Sequence, residues 1–297
     1  MMFYQIAIAN HLGNRNSNQD RFDVIETAEG VLLVLADGMG GLPSGELAAQ
    51  MLVNTVRRQY LGSERPIEQV ENFFTTIIQT THHALVQWAD KQGSDVIPGT
   101  TAVLCLIQNG RIDWAHVGDS RLYIFRGGLP IFRTNDHSYV EQLYRQGVIC
   151  HAERDTHPCR SSITQCVGGQ SQMPEVELGA GKNLQVGDRV LLCSDGLWGA
   201  LDDAQLGLLL GAEGALDDIL EAMAMRAEQN TYPHSDNISA IALHLISLAA
   251  SPSAAKSVNK STSLPVTQEK NADELRLKNA IEQIEEAWRI YKDELGS

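Results

Sequence analysis

"VLLVLADGMGG", residues 31–41, runs six apolar or small residues into an aspartate and then through three glycines in four positions. An unbroken apolar run bounded by turn residues reads as a strand buried on both faces. It predicts an interior strand that delivers Asp37 to a turn. The plan recurs in "RVLLCSDGLWG" (189–199), while "DWAHVGDSR" (113–121) ends a strand in Gly-Asp and "SDNISAIALHL" (235–245) begins one with Asp-Asn. Asp37, Asp119, Asp195 and Asp236 are thus predicted at strand termini, where a rigid scaffold can converge them at one rim.

Around this strand lie further β-rich runs, "MFYQIAIAN", "RFDVIET", "TAVLCLI", "RIDWAHVG", "SRLYIFR" and "NISAIALHLI". Turns as short as "QNG" (108–110) and "GDS" (118–120) separate several of them, which predicts antiparallel hairpins. Two segments, 44–61 and 66–92, place apolar residues at three- and four-residue steps and read as helices, with Ser44, Glu46, Pro66 and Glu68 as start signals. Hairpin-connected strands with long helices predict an α+β fold in layers, two antiparallel sheets face to face with helices on the outer surfaces.

Composition narrows the chemistry. The 297 residues are 43% hydrophobic, enough for a large core, and carry 23 basic against 37 acidic residues, a net charge of −14. A binder of nucleic-acid backbone needs a basic face, so that class is excluded. The 5 cysteines are scattered, without a C-x-x-C pair or a His/Cys cluster of zinc spacing. No stretch has the length of a membrane span or the pattern of a signal peptide, and the reading predicts a soluble, cytoplasmic protein.

Convergent carboxylates repel one another unless a cation lies between them. Hard oxygen ligands without His or Cys neighbours point to Mg²⁺ or Mn²⁺ and away from zinc. In "GNRNSNQDRF" (13–22), Arg15 can fork onto phosphate oxygens while Asp20 faces the metals. Cys193, beside Asp195, lacks a C-x₅-R arrangement and is predicted to be a buried strand residue.

The ordered set "GNRNSNQD", "LADGMGG", "GTTAVLCLI", "WAHVGDSRLYIFR", "NDHSYVEQL", "ITQCVGG", "LLCSDGLWGAL" and "SDNISAIAL" resembles the metal-dependent protein phosphatase family of the 2C type, in its compact bacterial form, over residues 3–246. The resemblance implies a four-layer α-β-β-α sandwich with a binuclear Mn²⁺ or Mg²⁺ centre in a cleft at one end of the two sheets. It implies that Asp37 bridges both metals, that Gly38 binds one through its carbonyl, and that Asp195 and Asp236 hold the other. Asp20 then contacts the centre through a metal-bound water, Asp119 serves a third, weaker metal site, and Arg15 grips the phosphate. Such a centre attacks phosphoserine and phosphothreonine in proteins with a metal-bridging hydroxide, opposing a Ser/Thr kinase in bacterial signalling.

The chain departs from many eukaryotic relatives at Met39, where they carry a histidine proposed as general acid. His137 in "NDHS" is the nearest motif candidate for that proton, and a capping or strand-edge role is the simpler reading of it. Residues 138–169 begin as an amphipathic helix and continue as a polar loop, by resemblance the flap over the cleft; its two histidines, Arg154 and Arg160 read as solvated loop residues. A catalytic domain is expected over 1–247, a Ser, Ala, Lys and Pro rich linker over 248–272, and an amphipathic helix over 273–297 with the stripe Leu277, Ile281, Ile284, Trp288, Tyr291 and Leu295. That helix either folds back on the body, docks on a partner or self-associates. A pseudophosphatase acting as a binding module through its cleft or that helix, and a hydrolase of small phosphometabolites, are the competing functions.

Overall fold

The computed structural model describes residues 2–39, 44–154 and 156–248. The expected linker and C-terminal helix lie outside them. The chain runs β1 (Met2–His11), β2 (Asp20–Glu26), β3 (Gly30–Met39), α1 (Ser44–Gly62), α2 (Val70–Gln92), β4 (Gly99–Thr100), β5 (Ala102–Gln108), β6 (Arg111–Val117), β7 (Arg121–Arg126) and β8 (Leu129–Arg133). It continues through α3 (Tyr139–Arg145), α4 (His151–Arg154), β9 (Val167–Gly168), β10 (Glu177–Asn183), β11 (Arg189–Cys193), α5 (Asp195–Trp198), α6 (Asp203–Leu210), α7 (Leu216–Thr231) and β12 (Ile238–Leu248). One sheet has the order β1-β12-β11-β7-β8 and the other β10-β6-β5-β3-β4-β9, with β2 also paired to β3. All the pairings are antiparallel.

Side-chain alternation along the strands produces the layers. Val31, Leu33 and Leu35 of β3 face the space between the sheets, with Val103, Cys105, Ile112, Trp114, Leu192 and Ile241. Leu32, Val34 and Ala36 face the other way, onto α1 and α2 through Leu52, Val56, Phe74 and Ile77. The second sheet turns Tyr123, Phe125, Leu191 and Cys193 toward Leu206, Leu210, Leu220 and Met223 of α6 and α7. The four layers are helices, sheet, sheet, helices, and a fully buried Leu or Phe in any of them contributes about 1.5–3 kcal/mol. Cys193 is fully buried, as its strand position predicts.

Several sequence expectations shift. The chain reverses tightly at Asn109 and Gly110, whose φ values of 55° and 75° suit a hairpin between β5 and β6. "GDS" (118–120) makes no hairpin, because β6 and β7 belong to different sheets. Gly118, at φ 106°, lets the chain cross the gap, and it lies so close to Thr101 that a Cβ there meets the Thr101 methyl carbon at 2.7 Å. Asp37 is not at the end of its strand either, since β4 pairs across Gly38 and Met39 and carries the ladder past it. The second long helix starts at Val70, not Pro66. Gln108 holds both backbone groups of Ile67, at 3.0 and 2.7 Å, and keeps that segment out of the helix. Among the described residues no helix is long and apolar enough to cross a membrane.

Candidate metal centre

The inter-sheet row of β3 continues from Leu35 to Asp37, so the carboxylate ends a column of core residues. Asp37 lies directly opposite Asp20 of β2. Its backbone is tied on both sides: its N–H donates to Thr101 Oγ1 at 2.9 Å, and its carbonyl accepts from the Thr101 N–H at 2.9 Å and Thr100 Oγ1 at 3.0 Å. Thr101 Oγ1 is also 2.7 Å from Ser120 Oγ, the neighbour of Asp119. Gly38 faces α1 so closely that a Cβ meets the Gly45 carbonyl oxygen at 2.2 Å and the Gln19 oxygen at 2.8 Å. A glycine is required there by backbone contact.

The other carboxylates come from the second sheet and the crossing between sheets. Asp195 opens α5 directly after β11, and Asp236 precedes β12. Ser194 donates its hydroxyl to Asp20 Oδ2 at 2.8 Å, joining the sheets at this end. Asn237 accepts from the Gln19 N–H at 2.9 Å and donates to the carbonyls of Leu12 and Ser17 at 2.9 and 3.1 Å, which fixes the loop that carries Arg15. Arg15 reaches Asp236 at 2.6 Å on the solvent side.

Asp20, Asp37, Asp119, Asp195 and Asp236 therefore form one electrostatic cluster with Arg15 at its rim. Burial, then Asp20, Asp195, Asp119 and Asp236, hold the Asp37 carboxyl well above the usual range. Burial, then Asp119 and Asp236, do the same for Asp195. Burial pushes Asp20 up to about 6 and, together with Asp136, Asp119 up to about 7. Buried Asp20 Oδ1 and Asp119 Oδ1 have no hydrogen-bond partner. Orphaned oxygens among mutually repelling carboxylates fit a hard divalent cation, which supplies both the missing partner and the missing charge.

A different kind of cluster lies beyond Asp119. His116, His137 and Glu177 bring three potential ligand atoms within 4.8 Å of one another, close enough together to hold a metal ion. The sequence reading does not single out this group. His116 and Glu177 are cross-strand partners in β6 and β10, and His137 joins them through backbone bonds to Gly118. Burial pushes His116 down to about 4 and keeps it neutral. His137 Nδ1 accepts from the Gly118 N–H at 3.3 Å, close to the capping role read from sequence. Sequence spacing gives little sign of this group, because it depends on the register of β10, a strand with no alternating apolar pattern.

Behind both clusters sits a balanced ion pair. Buried Arg121 donates two 2.7 Å bonds to Asp136 and one of 2.9 Å to the Tyr123 hydroxyl, and its guanidinium lies 3.5 Å from the Trp198 ring centroid. Tyr123 passes its proton contact on to Asp203 at 2.9 Å. Arg154, expected in solvent, is buried as well, against Glu141, with His151 at 2.8 Å and the Tyr144 ring at 4.8 Å. The base of the segment 138–169 is thus folded onto α3.

Residues 9–241 match the protein phosphatase 2C family. The chain is 29% identical over 238 residues to protein phosphatase PhpP of Streptococcus pneumoniae, covering 79% of this chain and 94% of that one. It superposes on the S. agalactiae serine/threonine phosphatase with a TM-score of 0.75 at 29% identity, covering 82% and 99% of the two chains. Its TM-score with the Mycobacterium tuberculosis serine/threonine phosphatase PstP/Ppp is 0.71 at 27% identity, again over 82% and 99%. The chain belongs to the protein phosphatase 2C family, the metal-dependent serine/threonine phosphatases.

Proposed function

We propose that the chain removes phosphate from phosphoserine and phosphothreonine in proteins, using Mn²⁺ or Mg²⁺ held by Asp20, Asp37, the Gly38 carbonyl, Asp195 and Asp236, with Asp119 serving a third ion. The observation that carries this reading is the convergence of these carboxylates, with orphaned buried oxygens, beneath an arginine on the solvent side. Bound divalent ions supply a water that ionises near neutral pH and neutralise the phosphate charge.

The chain's own residues do the rest. Thr100 and Thr101 fix the Asp37 backbone, Ser194 orients Asp20, and Asn237 holds the loop of Arg15. Arg15 is engaged with Asp236. Asp236 would be one of the residues holding the metal, and Arg15, its present partner, has the planar fork that would grip two phosphate oxygens. Met39 offers no proton to the leaving group, which then takes one from solvent at the open rim. The segment 138–169 contributes substrate choice as the wall of the cleft, within a catalytic unit of residues 1–247, and the phosphatase opposes a Ser/Thr kinase.

The test is hydrolysis of p-nitrophenyl phosphate and of a phosphothreonine peptide with Mn²⁺, with EDTA, and by Asp37→Ala and Asp195→Ala. Metal-dependent turnover lost in both variants is expected. A wild type inactive on the peptide at every Mn²⁺ concentration overturns the reading.

A further inference from the structure

We propose that His116, His137 and Glu177 form a second metal site, separate from the aspartate cluster, which takes a borderline transition-metal ion of the Zn²⁺ class. Two imidazoles and a carboxylate, with the fourth position open to water, are the donor set such ions select and Mg²⁺ does not.

Two independent observations point to a ligand. The first is geometry. His137 Nε2 lies 3.6 Å from Glu177 Oε2, and ligand atoms about 2.0–2.2 Å from a tetrahedral Zn²⁺ lie ~3.3–3.6 Å apart. His116 comes within the same 4.8 Å group, so a small inward motion of one ring closes the set. The second is His116 itself. It is fully buried, and neither of its ring nitrogens has a hydrogen-bond partner. A buried polar ring left unpaired on both sides carries an uncompensated desolvation penalty, and a cation removes it at one nitrogen.

The site is separate on two counts. None of the five clustered aspartates is among the chief charges on His116, which are His137, Glu177 and Asp136, and neither histidine nor Glu177 is among those on Asp37; Asp136 alone acts on both groups, through Asp119. It also has its own way in, because Glu177 is 34% exposed and His137 14%. The proton balance follows from the Gly118 bond. With Nδ1 of neutral His137 accepting from Gly118, its proton sits on Nε2, facing Glu177. A cation at Nε2 moves that proton to Nδ1, with no net release, and the 3.3 Å Gly118 bond is given up. Gly118 precedes Asp119, so loading this site acts on the crossing that carries one of the catalytic carboxylates.

The experiment uses the full, tag-free chain carrying Asp37→Asn and Asp195→Asn, which removes ligands of the aspartate cluster and leaves this site intact. Equilibrium dialysis with Zn²⁺ is expected to give one ion per chain, with affinity reduced at least tenfold by Glu177→Gln and by His137→Gln. Co²⁺ titration of the unmodified chain guards against a variant that fails to fold, since histidine ligation produces contact-shifted imidazole proton resonances in NMR. Absence of stoichiometric Zn²⁺ binding, binding indifferent to Glu177→Gln, or Co²⁺ spectra without shifted imidazole protons each overturns the proposal.

Discussion

Two buried polar groups stand side by side at one end of the sandwich and are built on opposite principles. Arg121 is surrounded by partners: Asp136 twice, the Tyr123 hydroxyl and the face of Trp198. The aspartates have the reverse arrangement, with like charges close together and oxygens left over. The same elements carry both. Asp119 and Arg121 are two residues apart, and α5 holds both Asp195 and Trp198. The balanced group is a clamp that fixes the geometry of this end of the fold without a ligand, and the unbalanced one stands beside it at a cost in stability that a cation removes.

Breaking the clamp has the largest effect. Arg121→Met leaves Asp136 buried without a counter-charge, and a broken buried pair costs about 3–5 kcal/mol. The expected fall in Tm is roughly 10 °C. Arg121→Met/Asp136→Leu removes both charges and should recover most of that fall in a thermal melt, which a loss of packing alone does not allow.

Removing charge from the other group does the opposite. Asp37→Asn is expected to lower kcat/KM at least ~100-fold, since even partners standing behind a metal ligand alter activity by roughly 10–100-fold. In EDTA at pH 8 the same variant should melt several degrees above wild type, because it relieves repulsion. In saturating Mn²⁺ the order reverses, as the wild type alone gains the full binding energy. Equal melting in EDTA would erase the contrast between the two groups.

The pH dependence sharpens it further. Burial holds Asp20 up at about 6 and Asp119 at about 7, both above the ordinary carboxylate range near 4. Between pH 4 and 7 the folded state binds protons there that the unfolded chain has released. Their contribution to stability is complete below pH 4 and is lost as pH rises through 6 and 7. In EDTA, Tm should fall from pH 5 to pH 8, and Asp20→Asn/Asp119→Asn should make that slope shallower, with Asp37 and Asp195, raised in the same direction, keeping part of it. Mn²⁺ should invert it, because the metal competes with those protons.

Much of this was legible in the chain. The both-faces-buried run before Asp37 gave an interior strand, and the repeated Asp at strand boundaries gave the cluster, because alternation and turn chemistry are local signals. What stayed hidden depends on long-range pairing. "GDS" looks the same whether it closes a hairpin or passes between sheets, and the difference lies in the long-range partners of the strands it joins, β5 and β10 for β6 and β11 and β8 for β7. Asp37 lies within its strand only because a two-residue β4 pairs across Gly38 and Met39. His116 meets Glu177 through the register of an irregular strand, and Arg154 is buried by Glu141 from another helix.

Thr101 stands at the border of the two groups and offers the finest test. Its hydroxyl accepts from the Asp37 N–H at 2.9 Å and lies 2.7 Å from Ser120 Oγ, between Asp119 and Arg121. Thr101→Val keeps the shape and deletes that oxygen, leaving a buried N–H unpaired at a cost of about 1–3 kcal/mol. If the hydroxyl only completes the fold, Tm falls by a few degrees and Mn²⁺ half-saturation is unchanged. If it holds Asp37 and Asp119 in register for the cation, the same loss of stability comes with a severalfold rise in the Mn²⁺ concentration needed for half-maximal activity, while kcat at saturating Mn²⁺ stays within about threefold of wild type. The second outcome is expected, because the bond acts on the backbone of the one aspartate that every other carboxylate in the cluster opposes.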